Sequence, residues 1–80
     1  MTKLVNSPVK VKCLKSIPAL FMWRSRWFPV EAVLDCWQDT GCWWEGEPEK
    51  TFYRVTNREQ VFEIYSESQT GRWYLYRVFD

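Results

Sequence analysis

Apolar and polar positions alternate most cleanly at the two ends of this chain. Residues 8–15, PVKVKCLK, put Val9, Val11 and Cys13 on one side and Lys10 and Lys12 on the other. That period of two predicts a half-buried strand with a cationic outer face, and Pro8 with the lysines suits a sheet edge. Residues 19–30, ALFMWRSRWFPV, read as two short strands around a polar tip. The flanking aromatics carry that reading, because Arg24-Ser25-Arg26 has neither the Gly nor the Asn that favours a tight type I′ turn.

Residues 29–39, PVEAVLDCWQD, have a different spacing. Val30, Val33, Leu34 and Trp37 recur at i, i+3, i+4 and i+7, with Glu31, Asp35 and Gln38 opposite. Pro29 and Glu31 suit a first helical turn, and the DTG that follows suits a stop. This predicts one short amphipathic helix over about residues 30–38, with a bulged strand as the competing reading. Residues 49–57, 60–67 and 72–80 are rich in β-branched and aromatic side chains, and short links join them. They predict a three-stranded antiparallel meander. The last of them is apolar on both faces, as expected of a strand covered on each side.

The sum is a mainly β fold: a five- or six-stranded antiparallel curled sheet or small open barrel with at most one short helix. Residues 1–7 read as a flexible N-terminus and residues 8–80 as one small domain. An 80-residue chain buries a modest core, yet this one carries six Trp, five Phe and four Tyr. Several of those rings are expected at a groove or interface. Next to Trp43 and Trp44, the stretch Glu45-Gly46-Glu47-Pro48-Glu49 reads as an acidic turn. Adjacent tryptophans on a strand face opposite ways, so one of the pair is expected outside.

Net charge is only +1, but its distribution is uneven. Residues 1–28 hold six cations and no acid, whereas residues 29–50 hold six acids against Lys50 alone. Two surfaces of opposite sign are one reading, and charges interleaved across strands the other. Cys13, Cys36 and Cys42 form no C-x-x-C pair and the chain has no histidine, so buried or half-buried thiols are expected rather than a disulfide framework or metal site. No apolar run suited to a signal peptide follows Met1, and the longest apolar stretch, 18–23, is too short to span a bilayer. The expectation is a soluble cytoplasmic protein.

Without histidine, the usual general base near neutral pH is missing, and the single glycines Gly41, Gly46 and Gly71 make no phosphate loop. No cofactor and no enzymatic activity is expected. A metal-assisted hydrolase built on Glu45, Glu47 and Glu49 is the remote alternative. Binding fits the residues better. MWRSRWF interleaves Trp23 and Trp27 with Arg24 and Arg26, and GRWYLYR brackets Tyr74 with Arg72 and Arg77. With Trp44, these are the candidate binding residues. Trp, Tyr and Arg dominate protein interfaces, and the same types stack on bases and reach phosphates.

The segments Trp23-Arg24, Val33-Leu34, Trp37, Trp43-Trp44-Glu45-Gly46-Glu47, Tyr53-Arg54-Val55 and Gly71 to Asp80 together resemble a small bacterial family of unknown function, over about residues 21–80. Ser25 stands where that pattern has Gly. The resemblance implies a module encoded near Y-family translesion DNA polymerases or the associated mutagenesis proteins, and so a part in DNA damage tolerance. It assigns no site residue. The leading expectation is a non-enzymatic interaction module that presents aromatic and Arg side chains to a protein partner, such as a DNA polymerase or associated factor. A single-stranded nucleic-acid-binding module is the alternative, and homo-oligomerisation stays open.

Overall fold

A computed structural model of the chain describes residues 2–39, 49–58 and 60–79. They form seven strands: β1 (Thr2–Leu14), β2 (Ile17–Trp23), β3 (Arg26–Pro29), β4 (Ala32–Asp39), β5 (Lys50–Asn57), β6 (Gln60–Glu67) and β7 (Trp73–Phe79). The sheet is antiparallel throughout, in the order β3-β2-β1-β7-β6-β5-β4, and it curls into a half-barrel. The strand count exceeds the expected five or six because the piece read as helix is strand β4.

The curl comes from β1. Its first half pairs with β7, ending at Pro8–Tyr74 and Val9–Trp73. Its second half pairs with β2 on the other edge, from Lys10–Met22 and Val11–Phe21 onward. This staggered pairing on two edges is how a sheet turns into a barrel wall. β1 is therefore central and not the edge expected of it, and the N-terminal residues expected to be loose are already strand. The sheet edges are β3 and β4, and the two residues between them bridge the gap. Val30 N–H donates to the Ala19 carbonyl of β2, and Glu31 N–H donates to the Thr56 carbonyl of β5, both at 2.8 Å.

β4 corrects the helix expected at about residues 30–38. The register slips between Val33 and Asp35, leaving Leu34 as an extra residue. A bulge adds one position to a period of two, so the apolar spacing imitates a helical one.

The inner face of the curl holds the core: Phe21, Val55, Phe62, Ile64, Leu75 and Val78, with Val9, Val11, Trp23, Phe28 and Tyr53 packed against them. Rings from the β2–β3 hairpin reach the main sheet at Phe62, from Phe21 at 5.2 Å and from Phe28 at 5.9 Å between centroids. This contact closes the half-barrel. Cys13 and Cys36 are free and exposed, not the buried or half-buried thiols expected. No helix among the described residues is long and apolar enough to cross a membrane.

Candidate functional site

Two surfaces stand out, and each follows from the register. The first surrounds the β2–β3 hairpin. Met22 pairs with Trp27 and Trp23 with Arg26, so Trp23 and Arg26 share the inner side and Trp27 the outer. The tip is a two-residue turn in which Arg24 (φ 53°) and Ser25 (φ 62°) both adopt left-handed backbone. That is the conformation of a type I′ turn, reached without the expected Gly or Asn, and each residue is strained by roughly 1 kcal/mol. Arg24 lies 4.4 Å over the Trp23 ring and Arg26 5.9 Å over Phe28. Trp27 is 40% exposed and carries Lys12 at 4.9 Å over its ring.

Three clefts meet at this hairpin. β2 pairs with β1 only from Lys10 onward, so the edge of Ser7–Val9 faces the tip across a gap of about 580 Å³ that Lys10, Trp23 and Arg24 also line. A second cleft of about 320 Å³ is lined by Lys3, Trp23, Arg24, Arg26, Phe28, Gln60 and Val78. A third and smaller one lies between Arg26, Trp27 and Arg58. Among the described residues none of the three is lined by a carboxylate. The basic third of the chain is therefore one contiguous surface, because β1, β2 and β3 are neighbours. The acidic Asp35 and Asp39 belong to the far strand β4, whereas the Glu31 carboxylate, in the link before it, accepts from Arg58 N–H beside the third cleft.

The second surface is the outer face of β4–β7. Trp37, Phe52, Tyr65 and Tyr74 pair in turn and form one row of rings, with centroids 5.4, 4.9 and 5.1 Å apart. A bulge in β7 puts Tyr76 on the same face, against Phe52 at 5.4 Å and Tyr65 at 5.9 Å. On one side runs the charged row Asp35, Arg54, Glu63, Arg77. On the other runs Asp39, Lys50, Glu67, Arg72, the last placed by the hydrogen bond from Glu67 N–H to the Arg72 carbonyl. Burial raises the Tyr65 phenol above its ordinary value, helped by Glu67, Tyr74 and Tyr76. Its hydroxyl donates to Asn6 Oδ1 at 2.9 Å.

The expected site residues thus divide. Trp23, Arg24, Arg26 and Trp27 come together at the hairpin. Tyr74 sits in the outer ring row beside Pro8, which reaches the hairpin's largest cleft. Arg77 is engaged by Glu63 and by the Tyr76 ring, a structural use. Arg72 is exposed beside the β6–β7 turn. Trp44, with Trp43, Glu45 and Glu47, lies outside the described residues. Sequence reasoning missed Lys3, Lys10 and Arg58 as cleft residues. The excess of cations in residues 1–28 was the available signal for the first two.

No curated protein and no solved structure matches the chain. The family model described as Domain of unknown function (DUF6504) matches residues 1–80, and the chain belongs to that family.

Proposed function

We propose that this domain is a non-enzymatic interaction module that binds single-stranded nucleic acid through the β2–β3 hairpin. One observation carries the reading: the three clefts at the hairpin are lined by Lys3, Lys10, Arg24, Arg26 and Arg58 with Trp23, Trp27 and Phe28, and by no described carboxylate. Cations along a groove track phosphates, while exposed rings such as Trp27 stack on bases. The left-handed backbone at Arg24 agrees, since local strain persists where a side chain is needed at that spot. The lack of histidine speaks for binding over catalysis. The wider context of this proposal is a cytoplasmic accessory of DNA repair or translesion synthesis.

The test is quenching of Trp fluorescence by an unlabelled single-stranded oligonucleotide. The proposal expects micromolar affinity at low salt, falling steeply as salt rises. An Arg24→Glu/Arg26→Glu double variant should lose at least about tenfold. Absence of quenching at low salt overturns the nucleic-acid reading.

A second reading, docking to a protein such as a polymerase or associated factor, has its own support. Leu14, Ile17 and Val33 line an apolar groove of about 390 Å³ between the β1–β2 turn and the start of β4, and the first two are 69% and 53% exposed. Retention of a translesion polymerase by immobilised domain, lost in Ile17→Asp, is the outcome that favours it.

A further inference from the structure

We infer that the cleft of about 320 Å³ beside the hairpin takes the phosphorylated end of a nucleic-acid strand. The inference rests on the proposed binding of single strands at the hairpin and names the group recognised there, a phosphomonoester dianion. The register builds the site. Lys3 pairs with Val78, so both side chains lie on the inner face, where Val78 is only 4% exposed. Val5, two residues on, faces the same way and packs on the core. Lys3 is therefore an inward-facing cation at the uncovered end of an apolar interior, and it is itself exposed. The hairpin sets two more cations against it. Trp23 pairs with Arg26, so both face inward, and the Trp23 ring is fixed 6.4 Å from Phe62 and 6.2 Å from Phe28 between centroids. Arg24 lies over that ring. Lys3, Arg24 and Arg26 thus reach one cleft from β1, the turn and β3.

Charge and shape both favour a strand end over its middle. Among the described residues the ion pairs lie elsewhere, Arg54–Glu63 and Arg77–Glu63. Three cations gathered over apolar floor call for a counter-ion, and they suit a dianion better than the single charge of a phosphodiester. The larger cleft beside it has two, Lys10 and Arg24. The two clefts share only Trp23 and Arg24. The larger one is an open edge along Ser7–Val9, past which a strand can run. The smaller one is floored by Val78 of the core, so a strand that enters it stops there. Its volume is near the lower bound of about 300 Å³ for small-ligand pockets, which suits a single nucleotide. A phosphomonoester takes its second charge at about pH 6. The chain has no histidine, and no described carboxylate lines the cleft, so a change of pH across that range acts on the ligand.

The test is a set of Trp-fluorescence titrations of the whole chain with a thymidine oligonucleotide of about ten residues. It carries a 5′-phosphate, a 3′-phosphate, or hydroxyls at both ends. At about pH 7.5 one phosphorylated form should bind about tenfold tighter than the hydroxyl form, and that ratio should shrink towards about pH 5. The form that gains identifies the end. Lys3→Ala should cut the ratio to about twofold, because Lys3 lines only this cleft, whereas Lys10→Ala should weaken both forms and keep the ratio. Free thymidine monophosphate has the same group but nothing for the larger cleft, so it should compete at least about tenfold more weakly than the phosphorylated strand. Equal binding of all three forms overturns the inference and leaves the hairpin reading standing. A ratio untouched by Lys3→Ala or by pH also overturns it, as does a free monophosphate that competes as well as the strand. Absence of quenching by every form overturns both readings.

Discussion

Arg54 grips Glu63 with two donors on one oxygen, Nη2 at 2.9 Å and Nε at 3.2 Å from Oε2. Glu63 is 4% exposed, whereas the Arg54 side chain is 41% exposed. The pair is unequal. Removing the arginine leaves a buried carboxylate with only the longer contact to Arg77, whereas removing the acid leaves a guanidinium that water can reach. Arg54→Ala should cost about 2 kcal/mol, reduced from the fully buried case by solvent at the arginine. Glu63→Leu combined with Arg54→Met should cost less than Arg54→Ala alone. Urea denaturation of the three variants checks the order.

The hairpin tip sets stability against binding. Gly at position 25 accepts the left-handed backbone without penalty, so Ser25→Gly should stabilise the domain by about 1 kcal/mol and leave oligonucleotide affinity unchanged. Arg24→Asn should also relieve strain, yet weaken binding severalfold by removing a cation from two clefts. Thermal melts beside fluorescence titrations separate the two effects. Loss of stability in Ser25→Gly would contradict the strained turn.

Two rings of the same hairpin should behave oppositely. Phe21 has no exposed surface and stacks on Phe28 at 5.3 Å, so Phe21→Ala should cost about 3–5 kcal/mol and threaten folding of so small a domain. Trp27→Ala should cost under about 1 kcal/mol and reduce oligonucleotide quenching and affinity. Melting temperature and titration midpoint report each in turn.

Alkaline pH should destabilise the domain through Tyr65 and Tyr53. Burial raises the folded-state Tyr65 and Tyr53 phenols above the usual 10.0, while the unfolded chain ionises at that value. Above it the unfolded state has lost protons that the folded state keeps. Stability is therefore full below pH 10 and falls as pH rises from there towards the folded-state values. Ionising Tyr65 also removes its donor to Asn6. Absorbance at 295 nm followed against pH, with and without urea, should show Tyr65 and Tyr53 titrating later in the folded form than in the unfolded one. Tyr65→Phe should remove one of them.

Much of the architecture was legible in the residues. The three C-terminal strands, the paired strands around Arg24-Ser25-Arg26 and the alternation of Val9, Lys10, Val11 and Lys12 all follow from a period of two, because burial on one face selects side chains locally. The helix misread over about residues 30–38 has the same origin. A single bulge at Leu34 shifts the phase, and phase is all that a periodic reading uses. The left-handed Arg24-Ser25 turn was hidden because its residue types argue against it, and ring and backbone contacts elsewhere impose it.

What the sequence determined alone is the inventory: a small β domain, a cationic first third, and more aromatic surface than one core can hold. Only the tertiary structure decided where these meet. It made β1 central by pairing its two halves on different edges, which gathers Lys3, Lys10, Arg24 and Arg26 around one hairpin. It aligned Trp37, Phe52, Tyr65 and Tyr74 into a row by register, a relation between strands that no single strand encodes. Side-chain alternation is a local property, written into each segment. Neighbourhood across a sheet is set by hydrogen bonding between segments distant in the chain, and that is where the candidate surfaces arise.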